Sequence, residues 1–506
     1  MRRKIYTLFP LFMLIFAMCS CFDDKGNYNY TRIGEAIVTI PGVTENADRY
    51  VCEQDGFLKL DPQIKYDAGT SESDYAFMWI KYLQNPYDEA TSGYFPADTI
   101  SEKKLLEYQV KDDPNLFYIV LKVINKQTDV ETNYRFEFVV TSVNGWLVLD
   151  ENAAGEGDLH IIRDADITID MPTGKEGVTK NYFSLKNKGA KIADGQFIGG
   201  RERNTKALFV FTTTGTYWID KGTYTMVPDY SYTNLFDVAP SVFLPEAQYY
   251  SMLNGGNEVM INDGAIYSAW WNMGGTTGYG KSSLEGASHI APMIASVAST
   301  NYGATSVMYD VIGHRFVTIG VFGDLATPSS SGAFNVGEME ADLELVYLGE
   351  GIDGSTCAIF DKKTEGSEDE PYLYRASFTS EDPVAADKIN LSKLTDIKDA
   401  KFYTFGTRGN MMYYATDSKI YCYRFGKENS TEFLTSLEAG EKIVKMKLYV
   451  DSQNAKFNGK ILFVATNKGD VGKVYKIKFN EMTGLMMSEP EVFDGFGIIK
   501  DMFNKN

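Results

Sequence analysis

Leu208-Phe209-Val210-Phe211 followed by Gly215-Thr216-Tyr217-Trp218-Ile219 is an apolar strand, a polar turn and an aromatic-rich return strand. The pattern recurs as Val259-Met260-Ile261 with Gly264-Ala265-Ile266-Tyr267, and as Met411-Met412-Tyr413-Tyr414 with Lys419-Ile420-Tyr421-Cys422-Tyr423. It appears again as Ile461-Leu462-Phe463-Val464 with Lys473-Val474-Tyr475-Lys476-Ile477. The aromatic residues closing the hairpins, Tyr217, Tyr267, Phe316, Tyr374, Tyr421 and Tyr475, are spaced by 50, 49, 58, 47 and 54 residues. With Trp146 to Ile162 as the opening unit, the count is seven. Strand pairs recurring every ~40–50 residues predict a β-propeller, in which each four-stranded blade buries its faces against its neighbours. Two unrelated β-sandwiches with evenly spaced hairpins are the alternative. Ring closure requires the two ends of the array to share a blade, and Pro490-Glu491-Val492-Phe493 through Ile498-Ile499 is the strand-like stretch available for it.

Upstream of the array, residues 35–143 carry a different texture. Ala36–Ile40, Phe57–Leu60, Tyr75–Ile80, Leu116–Val123 and Tyr134–Val140 are short, β-branched and aromatic, with partial alternation between turn residues. About 110 residues of this kind predict a β-sandwich with Trp79 as its core aromatic. The chain is therefore expected to be all-β: a sandwich over 35–143 and a seven-bladed propeller over 144–506.

Composition narrows the function classes. The 506 residues hold 68 acidic and 49 basic side chains, a net charge of −19, with no basic run to oppose it locally. Such a surface repels a phosphate backbone, so nucleic acid is not an expected partner. The three histidines, His160, His289 and His314, lie far apart without paired-ligand spacing and leave little imidazole for catalysis or zinc.

Arg2, Arg3 and Lys4 precede an apolar run from Ile5 to Met18, too short for a stable membrane anchor and shaped like a secretory leader. Residues 1–20 are thus expected to be removed. Met18-Cys19-Ser20-Cys21 resembles the lipobox of bacterial lipoproteins, which makes Cys21 the expected lipidated residue. Cys19 is the second choice because Met18 before it is bulky, and an ordinary cleaved leader is the alternative. Residues 21–34 then form a lipidated linker. Lipid chains tether a protein without spanning the bilayer, and no later segment offers ~18 consecutive apolar residues. Phe22-Asp23-Asp24 resembles the surface-export signal of Bacteroidetes lipoproteins and implies the outer face of the outer membrane. Cys52, Cys357 and Cys422 are too few and too widely spaced for a disulfide framework; Cys357 and Cys422 sit in strand-like segments and are expected to be buried thiols.

The lipobox with Phe-Asp-Asp-Lys-Gly-Asn-Tyr-Asn-Tyr, the sandwich ending in Phe138-Val139-Val140-Thr141-Ser142-Val143, and Gly145-Trp146-Leu147-Val148-Leu149-Asp150-Glu151 resemble PKD-like family lipoproteins of Bacteroides and its relatives. The resemblance implies a PKD-like sandwich and a place in a nutrient-uptake locus, beside a TonB-dependent transporter and its lid lipoprotein of the SusC/SusD type. It transfers no catalytic or ligand-binding residues and no cofactor.

Gly275-Thr276-Thr277-Gly278-Tyr279-Gly280-Lys281-Ser282 matches the phosphate-binding pattern G-x4-G-K-[ST]. A working P-loop joins a parallel strand to a helix, whereas this stretch follows an aromatic strand within an antiparallel repeat, so a glycine-rich blade loop is expected. The adjacent indoles Trp270 and Trp271, with Tyr279 in the same loop, are the candidate ligand-binding residues, since flat apolar faces suit sugar rings or peptide side chains. Packing between blades is the competing role for both tryptophans, and the polar loop Ala326–Gly337 is a candidate flank for the same opening. Asp164, Asp166 and Asp170 alternate without EF-hand spacing and are expected on a solvated face. Asp98-Thr99-Ile100 resembles a short O-glycosylation acceptor of exported Bacteroidetes proteins. No nucleophile elbow is present. The expected function is a non-catalytic binding or accessory protein for a glycan or peptide; a propeller hydrolase or lyase and a scaffold or adhesin are the rivals.

Overall fold

The computed structural model describes residues 35–505, apart from 44–48, 85–86, 89–92, 95, 170, 172–173, 203–205, 229, 252–256, 271–277, 298–303, 321, 364, 367, 381 and 435–436. Cys21 and the whole leader lie outside the described residues. The chain divides into two compact units, the smaller containing residues 57–109 and 116–139 and the larger residues 140–506.

In the smaller unit the principal sheet runs in the order Arg49–Glu53, Glu131–Thr141, Asn115–Asn125, Tyr75–Leu83, Asp98–Ser101. Its strands alternate as half-buried strands do: Phe117, Ile119, Leu121 and Val123 are buried while the residues between them are not. Trp79 has no exposed surface, and its indole N–H donates to the carbonyls of Lys103 (2.9 Å) and Lys104 (3.2 Å). A buried indole needs such an acceptor.

Among the described residues the larger unit is a ring of seven sheets, antiparallel except where Ser331–Gly332 runs parallel to Val384–Asn390. From the centre outward, blade 1 consists of Ile498–Lys505, Gly145–Glu151, Glu156–Arg163 and Gly177–Thr179. Blades 2 to 7 begin at their inner strands Gly195–Arg201, Pro245–Ser251, Ala295–Ser296, Leu343–Glu350, Phe402–Phe405 and Lys442–Leu448, and each runs outward in chain order, except that blade 5 adds the earlier Ser331–Gly332 outside Val384–Asn390. All six aromatic residues of the repeat fall on the third strand of blades 2 to 7. The second strands Ala207–Thr212, Asn257–Asn262 and Met411–Ala415 are buried at every position. Both of their faces are covered by neighbouring blades, which is why Ala207–Thr212 and Met411–Ala415 read as apolar runs without alternation, while Asn257–Asn262 keeps only Val259–Ile261 apolar between buried polar ends.

The core is correspondingly divided. Among the described residues seven buried clusters each join two successive blades, from Leu147 with Val210 between blades 1 and 2 to Trp146 with Phe463 between blades 1 and 7. Closure differs in detail from expectation. Glu491–Phe496 is the outer strand of blade 7, and Ile498–Lys505 alone pairs with Gly145–Glu151, from Gly145 opposite Lys505 to Glu151 opposite Ile498. The last strand is thus the innermost strand of the first blade, and the two ends of the array share one sheet.

Candidate functional site

Trp270 ends the third strand of blade 3 with its backbone opposite Asn257, while Trp271 and the loop to residue 277 lie outside the described residues. Tyr279 is not at a surface. It is fully buried among Phe236, Tyr267 and Trp218, and its hydroxyl oxygen accepts the Gln248 side-chain N–H (3.3 Å). Burial pushes that hydroxyl well above its ordinary range. It neighbours a buried ion pair in which the Arg201 guanidinium donates Nε to Glu258 Oε1 (2.5 Å) and Nη2 to Oε2 (2.9 Å) and lies over the Trp218 ring. Two parallel charge-assisted bonds satisfy both groups, so this cluster fastens blade 2 to blade 3. Lys281 and Ser282 lie in Gly280–Ser282, an outer strand antiparallel to Ile266–Ser268, which is not P-loop geometry.

The histidines are structural. His160 Nδ1 accepts the Asn181 N–H (3.2 Å) and Nε2 faces Asp150 (2.8 Å). The His289 ring packs on Gly264, and His314 sits in a turn at φ +46°. Asp164 and Asp166 are not a solvated acidic face: both bind the ammonium of Lys476, whose side chain is 1% exposed. Burial raises Asp166, but Lys476 and Lys478 outweigh it and hold the carboxyl below its ordinary range. At the inner strands, Asp501 takes Lys447 (2.9 Å), Lys445 (3.4 Å) and the Ile198 N–H (2.9 Å), and Ser296 donates to Glu350. Among the described residues no group of three His, Cys, Asp or Glu stands close enough to hold a metal.

An open, chemically mixed site lies on blade 7, between the connections 449–460 and 479–490 on one edge of the sheet. Each connection is shaped by its own backbone. Asn480 Oδ1 accepts the N–H groups of Met482 (2.9 Å) and Thr483 (3.0 Å), and Gly484 closes that turn at φ +71°. Opposite, the Asn454 carbonyl accepts the Phe457 and Asn458 N–H groups, and Gly459 follows at φ +72°. Between them is a cavity of about 510 Å³ lined by Phe457 and Phe479, with Met482 and Met487 at its mouth. Lys456, Lys460 and Lys478 bring positive charge against the single carboxylate of Glu481. Lys460 reaches Glu481 (3.3 Å), Lys478 reaches Asp166 (3.0 Å), and the Lys456 ammonium lies over the Phe457 ring (4.6 Å). Aromatic pairs and glycine loops do not mark this site in the sequence. Its signal is Met482-Thr483-Gly484-Leu485-Met486-Met487, an apolar run placed in a turn where polar residues are the rule.

No curated protein matches the chain. Among solved structures it is similar to a quinonprotein alcohol dehydrogenase-like protein of Bacteroides thetaiotaomicron, at 14% identity and TM-score 0.40, over 93% of this chain and 99% of that one. It is also similar to the Nup133 β-propeller domain of Vanderwaltozyma polyspora, at 11% identity and TM-score 0.31, over 61% and 85%. A third is the extracellular domain of a putative one component system of B. thetaiotaomicron, at 8% identity and TM-score 0.29, over 89% and 77%. The family match is confined to the N-terminal part and runs past the sandwich into blade 1: residues 21–192 match the PKD-like family.

Proposed function

We propose that this chain is a lipid-tethered, non-catalytic binding protein of the outer-membrane surface. In this reading Cys21 carries the anchor, and the propeller presents its loops to a glycan or peptide as an accessory to a TonB-dependent transporter and its SusD-like lid lipoprotein. The observation that carries the binding role is the blade 7 cavity. Its volume falls within the roughly 300–1,000 Å³ of small-ligand sites, and it combines apolar walls with a few convergent charges. The exposed side chains beside it, Met482 and Met487, are a type that folding ordinarily hides. On the inner strand of blade 1, Asp501 is committed to Lys445, Lys447 and a backbone N–H, which agrees with a binding role.

The test is affinity purification of the tagged native lipoprotein from outer membranes, with Cys21→Ala as control and mass spectrometry as readout. Recovery of a TonB-dependent transporter and its lid lipoprotein with the lipidated form alone is the expected result. Recovery of the bait by itself from both samples contradicts the accessory role.

A further inference from the structure

The blade 7 cavity has a chemistry of its own, which narrows its ligand. On a chain of net charge −19, it gathers Lys456, Lys460 and Lys478 against Glu481, and Glu481 is already engaged by Lys460 (3.3 Å) and Arg408 (4.0 Å). Among the described residues no carboxylate stands within ion-pair distance of Lys456. A cationic opening on an acidic protein draws in carboxylates that the rest of the surface repels.

The apolar part of the site discriminates between ligand classes. Met482 and Met487, which line the cavity, are 65% and 68% exposed and give it an unbranched apolar edge. Thioether side chains adapt to irregular apolar groups, as promiscuous peptide-binding surfaces do. A flat aromatic face is what suits a sugar ring. Phe479 is buried, and the face of Phe457 is occupied by the Lys456 ammonium, so neither ring offers an open stacking platform.

We infer that the cavity between residues 449–460 and 479–490 binds an acidic peptide segment, with an aliphatic or methionine side chain against Met482 and Met487 and carboxylates on Lys456 and Lys460. This inference rests on the binding reading above and specifies its ligand class. Lys456 carries most of the carboxylate capture and Lys460 and Lys478 less, since Glu481 (3.3 Å) and Asp166 (3.0 Å) already hold those two.

The experiment is fluorescence anisotropy on the full mature lipoprotein in detergent micelles. The probe is a labelled heptapeptide, Asp-Leu-Asp-Met-Glu-Leu-Asp, compared with its counterpart carrying Lys at each acidic position and with oligogalacturonate as an acidic glycan. Two double variants are measured alongside, Lys456→Glu with Lys460→Glu and Met482→Ser with Met487→Ser, and far-UV circular dichroism checks their fold. The expected result is saturable binding of the acidic peptide, weakened at least tenfold by either double variant and by 0.5 M salt, and absent for the lysine peptide. Equal affinity across wild type and variants, or equal binding of the lysine peptide, overturns the inference. Oligogalacturonate binding that depends on Lys456 and Lys460 without peptide binding overturns the peptide class and leaves the binding role standing. If neither probe binds while the transporter is still recovered from membranes, the cavity assignment falls and the accessory role survives.

Discussion

Replacing Met502 by alanine tests whether the last strand closes the ring. Met502 is fully buried between blades 1 and 7, in the cluster that holds Trp146, Val148, Tyr449 and Phe463. Truncation removes Cγ, Sδ and Cε, whose burial is worth about 1.5–2 kcal/mol in transfer free energy. The cavity left behind, about 60–70 Å³, adds about 1.5 kcal/mol at 24 cal/mol per Å³ if the site does not collapse. The loss is then about 3 kcal/mol, and it falls on the one interface that joins the two ends of the array. Urea unfolding followed by tryptophan fluorescence reads it, since Trp146 stacks on Phe463 at 4.1 Å in that same interface. Hydrogen exchange adds the location: amides of residues 145–151, which pair with 498–505, should lose protection more than those of blades 3 to 5. A stability within about 0.5 kcal/mol of wild type, with unchanged protection at 145–151, would refute the placement of Ile498–Lys505 as the inner strand of blade 1.

Three further outcomes follow from single positions. Gly264 turns the blade 3 hairpin at φ +64° behind Asp263 at φ +51°, and a Cβ there would stand 2.1 Å from His289 Nδ1; Gly264→Ala should cost at least about 1–2 kcal/mol from the left-handed backbone alone, measured by denaturant unfolding, whereas a neutral effect rules out this turn. Lys476→Met should lose about 3 kcal/mol at pH 7, because Asp164 and Glu491 lose their cation and Asp166 keeps only Lys478. As Asp166 is held below its ordinary value, its contribution is present above about pH 4 and disappears as pH falls through the lowered folded value, so the gap between wild type and variant should narrow in acid; a pH-independent gap contradicts the ion cluster. Burial pushes the Cys357 thiol up to about 12 and the Cys422 thiol to about 11, so iodoacetamide at pH 8 should modify neither until the protein is denatured, and labelling of either one in the native state, read by peptide mass mapping, would contradict their burial.

The blades were legible because second strands such as Ala207–Thr212 and Met411–Ala415 are covered on both faces and stay apolar along their length. Tyr217, Tyr267, Phe316, Tyr374, Tyr421 and Tyr475 mark the third strand because each must fill space against a neighbouring blade. Inner strands were harder to see. Ala295–Ser296 is only two residues long, and Ile498–Lys505 contains Lys500, Asp501 and Lys505, which look like a polar tail. Those charges are instead satisfied over long range, Asp501 by Lys447 and Lys505 by Ser142, Val143 and Asn144, and no local pattern announces such pairs. The same cause misplaced Tyr279 and the Asp164–Asp166 pair, whose partners Gln248 and Lys476 lie 31 and some 310 residues away in the chain. The blade 7 cavity was missed because two turns, ordinary one at a time, become a site only when antiparallel pairing sets them side by side.

The central proposal, that the propeller binds through blade 7 at the membrane surface, is tested most directly by oxidative footprinting of the native protein in intact outer membranes and after purification to homogeneity. Met482 and Met487 are exposed, whereas Met260, Met308 and Met412 are fully buried and serve as internal standards. Oxidation of Met482 and Met487 that is suppressed severalfold in membranes and restored on purification is the result this account predicts. Equal oxidation of both residues in the two states, with the standards untouched, would contradict it.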